Sequence, residues 1–221
     1  MNEIIPAILV ESEAEFERRL RLVEHDVTTV QVDVLDGTKF GHVSYHDARA
    51  IGSMKTNVAF ELHLMVENPL AVVEAWKEHV PTLTRAIFHA ELDRSHEPII
   101  HRLKDMKLEI GMALNPETPV NEAHHDLESL DELLLMSVHP GASGQGLGDP
   151  QHGIGSDEIF AKIASIHAKY PNLLLGCDGG VDPATISRFK TSGITRFYVG
   201  SAIFNASNPL EALHTLQNAV L

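Results

Sequence analysis

A short apolar run followed by a stretch whose apolar residues recur at helical spacing appears eight times in this chain. No other feature of the sequence restricts its fold so tightly. The runs span 4–10, 28–35, 58–66, 85–90, 108–114, 133–138, 173–178 and 196–199. After the first, Ser12 and Glu15 form a capping box ahead of Phe16, Leu20 and Val23. A weaker helix is expected near 45–51. Asn68-Pro69 opens a helix with Leu70, Val73, Trp76 and Val80 along one side. Later helices carry Ile99, Ile100, Leu103 and Met106, then Ile159, Ile163 and Ile166 behind Ser156. Asp182-Pro183 starts another that stops at Gly193, and Asn208-Pro209 begins the last, with Leu210, Leu213 and Leu216 inward. Pro116 and Pro119 leave room only for a short helix before Leu130, and a polar, glycine-rich loop fills 140–155. Strands alternating with helices pair in parallel through right-handed crossovers. Eight such units in 221 residues, about 27 each, predict an α/β fold: a closed (β/α)8 TIM barrel occupying 1–221 as a single domain. An open doubly wound sheet is the alternative, and it lacks a dinucleotide-type glycine fingerprint after the first run.

In such a barrel, chemistry gathers at the carboxyl ends of the strands. Alternation along the second run turns Val30, Val32 and Val34 one way and Gln31, Asp33 and Leu35 the other. An amide and a carboxylate on an inner face need partners or a task. His63, near the end of the third run, and Asp178, at the end of the seventh, reach the same rim. Two carboxylates there can serve as acid and base on opposite faces of a carbon beside a carbonyl. The plainer reading is that either one caps a loop by accepting backbone N–H groups. A lone histidine in an apolar strand is usually a hydrogen-bonded core residue. Grouped with two strand-end carboxylates, it makes a donor set suited to zinc, manganese or iron.

Glycine clusters follow the sixth, seventh and eighth runs: Gly141-Ala142-Ser143-Gly144, Gly179-Gly180 and Gly200-Ser201. Backbone amides there can approach a phosphate closely, with ordinary turn chemistry as the alternative. His89 and His139 end the fourth and sixth runs and are candidates to face the pocket. His42, His46, His124, His125 and His152 read as solvated. Cys177 should point outward as a packing residue, since its neighbour Asp178 points inward.

The net charge of −14 argues against nucleic acid and against anionic membrane surfaces, and it gives no long-range attraction to phosphorylated substrates. Any phosphate site must therefore rest on local N–H groups. One cysteine excludes an internal disulfide and fits a reducing, cytoplasmic setting. No run approaches the roughly 18 apolar residues of a spanning helix. Self-association is left open by the sequence.

These motifs, in this order, resemble the ribulose-phosphate 3-epimerase family over essentially the whole chain. The resemblance rests on Ile5-Pro6-Ala7-Ile8-Leu9, Val32-Asp33-Val34-Leu35-Asp36-Gly37, Leu62-His63-Leu64-Met65-Val66 and Ala113-Leu114-Asn115-Pro116. It continues through Leu135-Met136-Ser137-Val138, Pro140-Gly141, Gly144-Gln145, Asp178-Gly179-Gly180 and Gly200-Ser201-Ala202-Ile203-Phe204. It implies that Asp33 and Asp178 are the acid/base pair and hold one divalent metal ion (zinc, manganese, iron or magnesium) together with His63. The substrate would be a phosphorylated ketose, contacted by His63, with its phosphate on the three glycine clusters. Leu35, Met65 and Met136 would cover the reacting enediolate.

Three departures accompany the resemblance. Gln31 stands where the family carries a metal-ligating histidine, and Ala7 where it carries serine. Ala142 replaces the aromatic residue usual in the glycine loop, which here runs on through Gly146, Gly148 and Pro150. An amide oxygen is a poorer donor than imidazole for zinc or iron. Epimerisation of a ketohexose phosphate, and sugar-phosphate binding without catalysis, stand as the alternative functions.

Overall fold

A computed structural model describes residues 2–221. Its strands are β1 (Glu3–Ile8), β2 (Thr29–Leu35), β3 (Ala59–Met65), β4 (Leu83–His89), β5 (Glu109–Leu114), β6 (Glu132–Met136), β7 (Leu175–Asp178) and β8 (Arg196–Val199). They pair in parallel in chain order and close through β8 and β1. The helices are α1 (Glu13–Val23), α2 (Ala48–Ser53), α3 (Pro69–His79), α4 (Glu97–Asp105), α5 (Ser156–Lys169), α6 (Ile186–Ser192), α7 (Ser201–Phe204) and α8 (Pro209–Val220). No helix among the described residues is long and apolar enough to cross a membrane.

Local chemistry accounts for the element ends. The Ser12 hydroxyl accepts the Glu15 N–H at the start of α1, and the Asn208 side chain accepts that of Glu211 at the start of α8. Asn68 makes no such bond, so α3 relies on its first-turn proline. Gly193 ends α6 at φ +112°. Several expected boundaries move. Asp182 starts a turn rather than a helix, its carboxylate accepting the Ala184 and Thr185 N–H groups at 2.8 and 2.9 Å, and α6 begins only at Ile186. The expected short helix before Leu130 is two 3-10 turns, Val120–Ala123 and Leu127–Ser129. The helix near 45–51 lies at Ala48–Ser53, and Leu210 is exposed rather than inward. The single turn α7 was not foreseen.

Two cores result from the alternation. Outward residues such as Val30, Val32, Val34, Leu62, Leu64 and Cys177 pack beneath the helices with Phe16, Leu20, Val73 and Trp76. Each such fully buried side chain contributes about 1.5–3 kcal/mol. Inward residues Ile5, Ala7, Ile87, Ala113, Leu134, Met136 and Tyr198 form a separate cluster inside the barrel.

Beneath that cluster, at the amino-terminal end of the strands, lies a charged floor. Arg85, Arg196, Glu61 and Glu132 are all buried there. Arg85 pairs with Glu132 and, from its other nitrogen, with Glu109. Arg196 pairs with Glu61 at 2.5 Å and Glu3 at 2.6 Å. The Tyr198 hydroxyl lies 3.0 Å from Glu61 and 2.9 Å from Glu132. Gly176 makes the cluster possible, because a Cβ there would sit 2.1 Å from Glu132 Oε1. Burial lifts the Glu132 carboxyl to about 7 against the pull of Arg85 and Arg196.

Candidate active site

The strand register carries Asp33 and His63 to neighbouring positions on β2 and β3, and sets Gln31 against Glu61 one inward step below. Asp178, last residue of β7, reaches the same level from across the barrel, paired with Met136. Asp33, His63 and Asp178 line one cleft at the carboxyl mouth, and each presents a donor atom within 4.8 Å of the others'.

Gln31 ties the group together. Its amide nitrogen donates to Asp33 Oδ1 at 2.7 Å and to Asp178 Oδ2 at 2.8 Å. His63 Nδ1 faces the same two oxygens at 3.2 and 3.3 Å. Two donors thus bridge two carboxylates. Burial and the neighbouring Asp178 charge both raise the Asp33 pKa. Burial by itself would depress His63, yet its hydrogen bonds to Asp178 and Asp33 hold it up at about 9.

Behind His63 stands His89, expected as a candidate to face the pocket. His63 Nε2 and His89 Nε2 are 2.9 Å apart, with the rings stacked. His89 is wholly buried, which pushes its pKa down. Its Nδ1–H donates to Glu91 Oε2 at 3.1 Å, leaving Nε2 bare to accept a hydrogen bond from the His63 Nε2–H. Glu91 is held in turn by the Asn115 N–H at 2.8 Å. The chain Glu91–His89 therefore fixes the His63 tautomer so that Nδ1 is the atom aimed at the carboxylates. His89 does not line the cleft, and His139 turns away from it toward Glu117.

The donor set fits a divalent cation: two carboxylates, an imidazole whose outer nitrogen is already engaged, and an adjacent amide. Gln31 Oε1 is buried with no hydrogen-bond partner. Turning the amide over would bring that oxygen to the carboxylates' side, at the loss of both N–H donations.

The three glycine clusters converge on the same mouth. Gly141, Ala142, Ser143, Gly144, Gly179, Gly180 and Ser201 line the cleft with Met65 and Met136. Gly200 approaches the Ala7 carbonyl, where an added Cβ would sit at 3.4 Å, with Ser143 Oγ at 3.7 Å. Gly179 has φ +98°, and a Cβ there would collide with Val138 at 2.4 Å, so no other residue fits. Leu35 is the exception among the expected cover residues: it lies in an adjoining cleft with Leu9, His42 and Val43. Phe40, which the sequence reading passed over, packs edge-on to His89 and His139 and lies beside Gly141. An aromatic ring from the β2 loop thus stands on the flank that Ala142 leaves open.

Known proteins resemble this chain at two levels. Solved structures with low identity share the fold: the KGPDC of Streptococcus mutans, 11% identical, superposes with a TM-score of 0.74 over 100% of this chain and 97% of its own. Orotidine 5'-monophosphate decarboxylase from Sulfolobus solfataricus, 12% identical, does so with 0.65 over 100% and 98%. Closer likeness comes from three proteins named ribulose-phosphate 3-epimerase. That of Schizosaccharomyces pombe is 29% identical, covering 99% of this chain and 94% of its own. Those of Helicobacter pylori (30%, covering 86% and 85%) and Bacillus subtilis (26%, covering 99% and 100%) follow the same pattern. The profile of the "Ribulose-phosphate 3 epimerase family" matches residues 3–204, a span holding every side chain of the cleft. By that match, the chain belongs to the ribulose-phosphate 3-epimerase family.

Proposed function

We propose that this chain interconverts D-ribulose 5-phosphate and D-xylulose 5-phosphate by moving the proton on C3 from one face to the other. The observation that carries the reading is the pairing of Asp33 and Asp178 around one amide nitrogen and one imidazole nitrogen. Binding a sugar phosphate does not require a buried and a half-buried carboxylate facing each other. Epimerisation does, because one must remove the proton and the other return it on the opposite face. The raised proton affinity of Asp33 brings it toward the range of a useful acid/base.

The substrate phosphate would rest on backbone N–H groups of Gly141 to Gly144, Gly179, Gly180, Gly200 and Ser201, in keeping with the acidic character of the whole chain. Met65 and Met136 would exclude water above the reacting carbon, with Leu35 helping from the side. Asp33, His63 and Asp178 would hold one divalent metal ion, zinc or manganese by donor type, with Gln31 as a fourth, weaker contact. When bound, such an ion supplies positive charge for the developing enediolate oxygens. Glu91 and His89 keep His63 Nδ1 available for it.

The test is exchange of the C3 proton in heavy water, followed by NMR on ribulose 5-phosphate with manganese or zinc supplied. Exchange together with appearance of xylulose 5-phosphate is expected. Substrate binding with no exchange under any metal would overturn the enzyme reading in favour of a binding protein. Exchange only with a ketohexose phosphate would move the substrate assignment.

A further inference from the structure

A second group of metal-type donors stands at the rim, apart from the cleft. Glu117, His139 and Asp149 each present one donor atom, and these atoms lie within 4.8 Å of one another. His139 Nε2 is 3.8 Å from Glu117 Oε1. His152 adjoins them: its Nδ1 contacts Asp149 Oδ2 at 2.6 Å, and its ring stacks on that of His139 with centroids 5.7 Å apart.

The backbone under each donor is fixed. Lys162 Nζ donates to the carbonyls of Asn115, Pro116 and Thr118 at 2.7, 3.0 and 2.7 Å, which locks the turn bearing Glu117. Asp149 is buried and pairs with Ile154 in an antiparallel bridge that encloses His152. The Gln145 amide donates to the His139 carbonyl at 2.7 Å. Two carboxylates beside one imidazole give the group the oxygen and nitrogen donors that suit a dication. A simple cap of the Pro150–His152 turn explains the Asp149–His152 contact but not why Glu117 and His139 converge on it.

We propose that Glu117, His139 and Asp149 form a second divalent-cation site, of zinc type, apart from the cleft. One imidazole and two carboxylates are a three-ligand zinc donor set that leaves the fourth position to water. The chain between His139 and Asp149 contains the Gly141–Gly144 segment at the mouth of the cleft. A cation here fastens both ends of that loop to the β5–β6 connection and, through His139, buttresses Phe40. The site stands whether or not the cleft binds a metal or catalyses epimerisation.

Metal-free protein is titrated with zinc against a chromophoric chelator, folding being checked by circular dichroism. Wild type should bind two ions per chain, whereas His139→Ala, or the milder and surface-placed Glu117→Gln, should bind one tightly. Loss of a direct ligand should weaken the rim ion by more than about a hundredfold, beyond what loss of a supporting residue does. His63→Ala should retain the rim ion. Zinc should also protect the 140–148 segment from limited proteolysis in wild type and His63→Ala but not in His139→Ala. Unchanged stoichiometry and affinity in both rim variants, or no zinc bound by folded His63→Ala, would overturn the proposal. If the cleft itself holds no metal, wild type and His63→Ala bind one ion alike and the rim variants bind none, so the two failures are distinguishable.

Discussion

Replacing Gln31 by histidine tests how the amide competes with a metal. As the site stands, the Gln31 N–H groups satisfy both carboxylates at 2.7 and 2.8 Å, while Oε1 has no partner. For this residue to contact a cation, its amide must turn over. The unpartnered end then changes from oxygen to nitrogen, so that penalty cancels, but two charge-assisted hydrogen bonds are lost. A neutral histidine offers at most one N–H to the carboxylates and gives up one bond rather than two. The difference is a single hydrogen bond to a charged group, about 1.5–3 kcal/mol. Gln31→His should therefore tighten metal binding in the cleft roughly ten- to a hundredfold, at about 1.4 kcal/mol per decade. The assay is chelator competition with zinc and with manganese, run in a His139→Ala background so that the rim ion does not contribute. Equal affinity in the two proteins would refute the reasoning: the Gln31 hydrogen bonds would then not stand in the cation's way, and the residue would lie outside its contacts.

Other outcomes follow from the same geometry. Asp178→Asn should lower C3-proton exchange by roughly 10²- to 10⁴-fold, the usual worth of an acid/base group, while ribulose 5-phosphate binding by calorimetry stays within a few-fold; unchanged turnover would remove Asp178 from its role. Arg85→Met leaves Glu61 and Glu132 short of a counter-charge and should cost about 3–5 kcal/mol in urea unfolding; a neutral effect would mean the floor is dispensable. Glu132 is raised from 4.5 to about 7, so the folded chain keeps a proton that the unfolded chain releases. Its stabilisation is present below pH 4.5 and fades as pH rises to about 7. Glu132→Gln should flatten that part of the stability–pH curve, and an unaltered curve would contradict the shift.

Much of the fold was readable because period two and period 3.6 leave different marks. The β2 strand shows valines on one side and Gln31, Asp33 and Leu35 on the other, and the barrel places those three inside. His63 and Asp178 were legible for the same reason, since a polar residue closing an apolar strand must go somewhere useful. The charged floor was not anticipated, though each member sits with inward parity near the start of a run: Glu61, Arg85, Glu132 and Arg196. Read singly, such a residue looks like the polar edge of a strand, and only the register across four strands makes them partners. Glu91 and Phe40 were hidden differently. They lie in loops, where no periodicity says which way a side chain turns, and their partners are distant in sequence. Leu35 is expected as cover by the family resemblance, yet it lines the adjoining cleft while Met65, its register partner on β3, lines the main one.

The floor of paired guanidinium and carboxylate groups also bears on how such a molecule can change over generations. It sets the gauge of the cylinder from below, far from where substrates are handled. Loops at the opposite end can be lengthened, shortened or re-lettered while the tube beneath still closes to the same width. The run from His139 to Gly155 is a loop of that kind, carried at the end of the barrel opposite the floor.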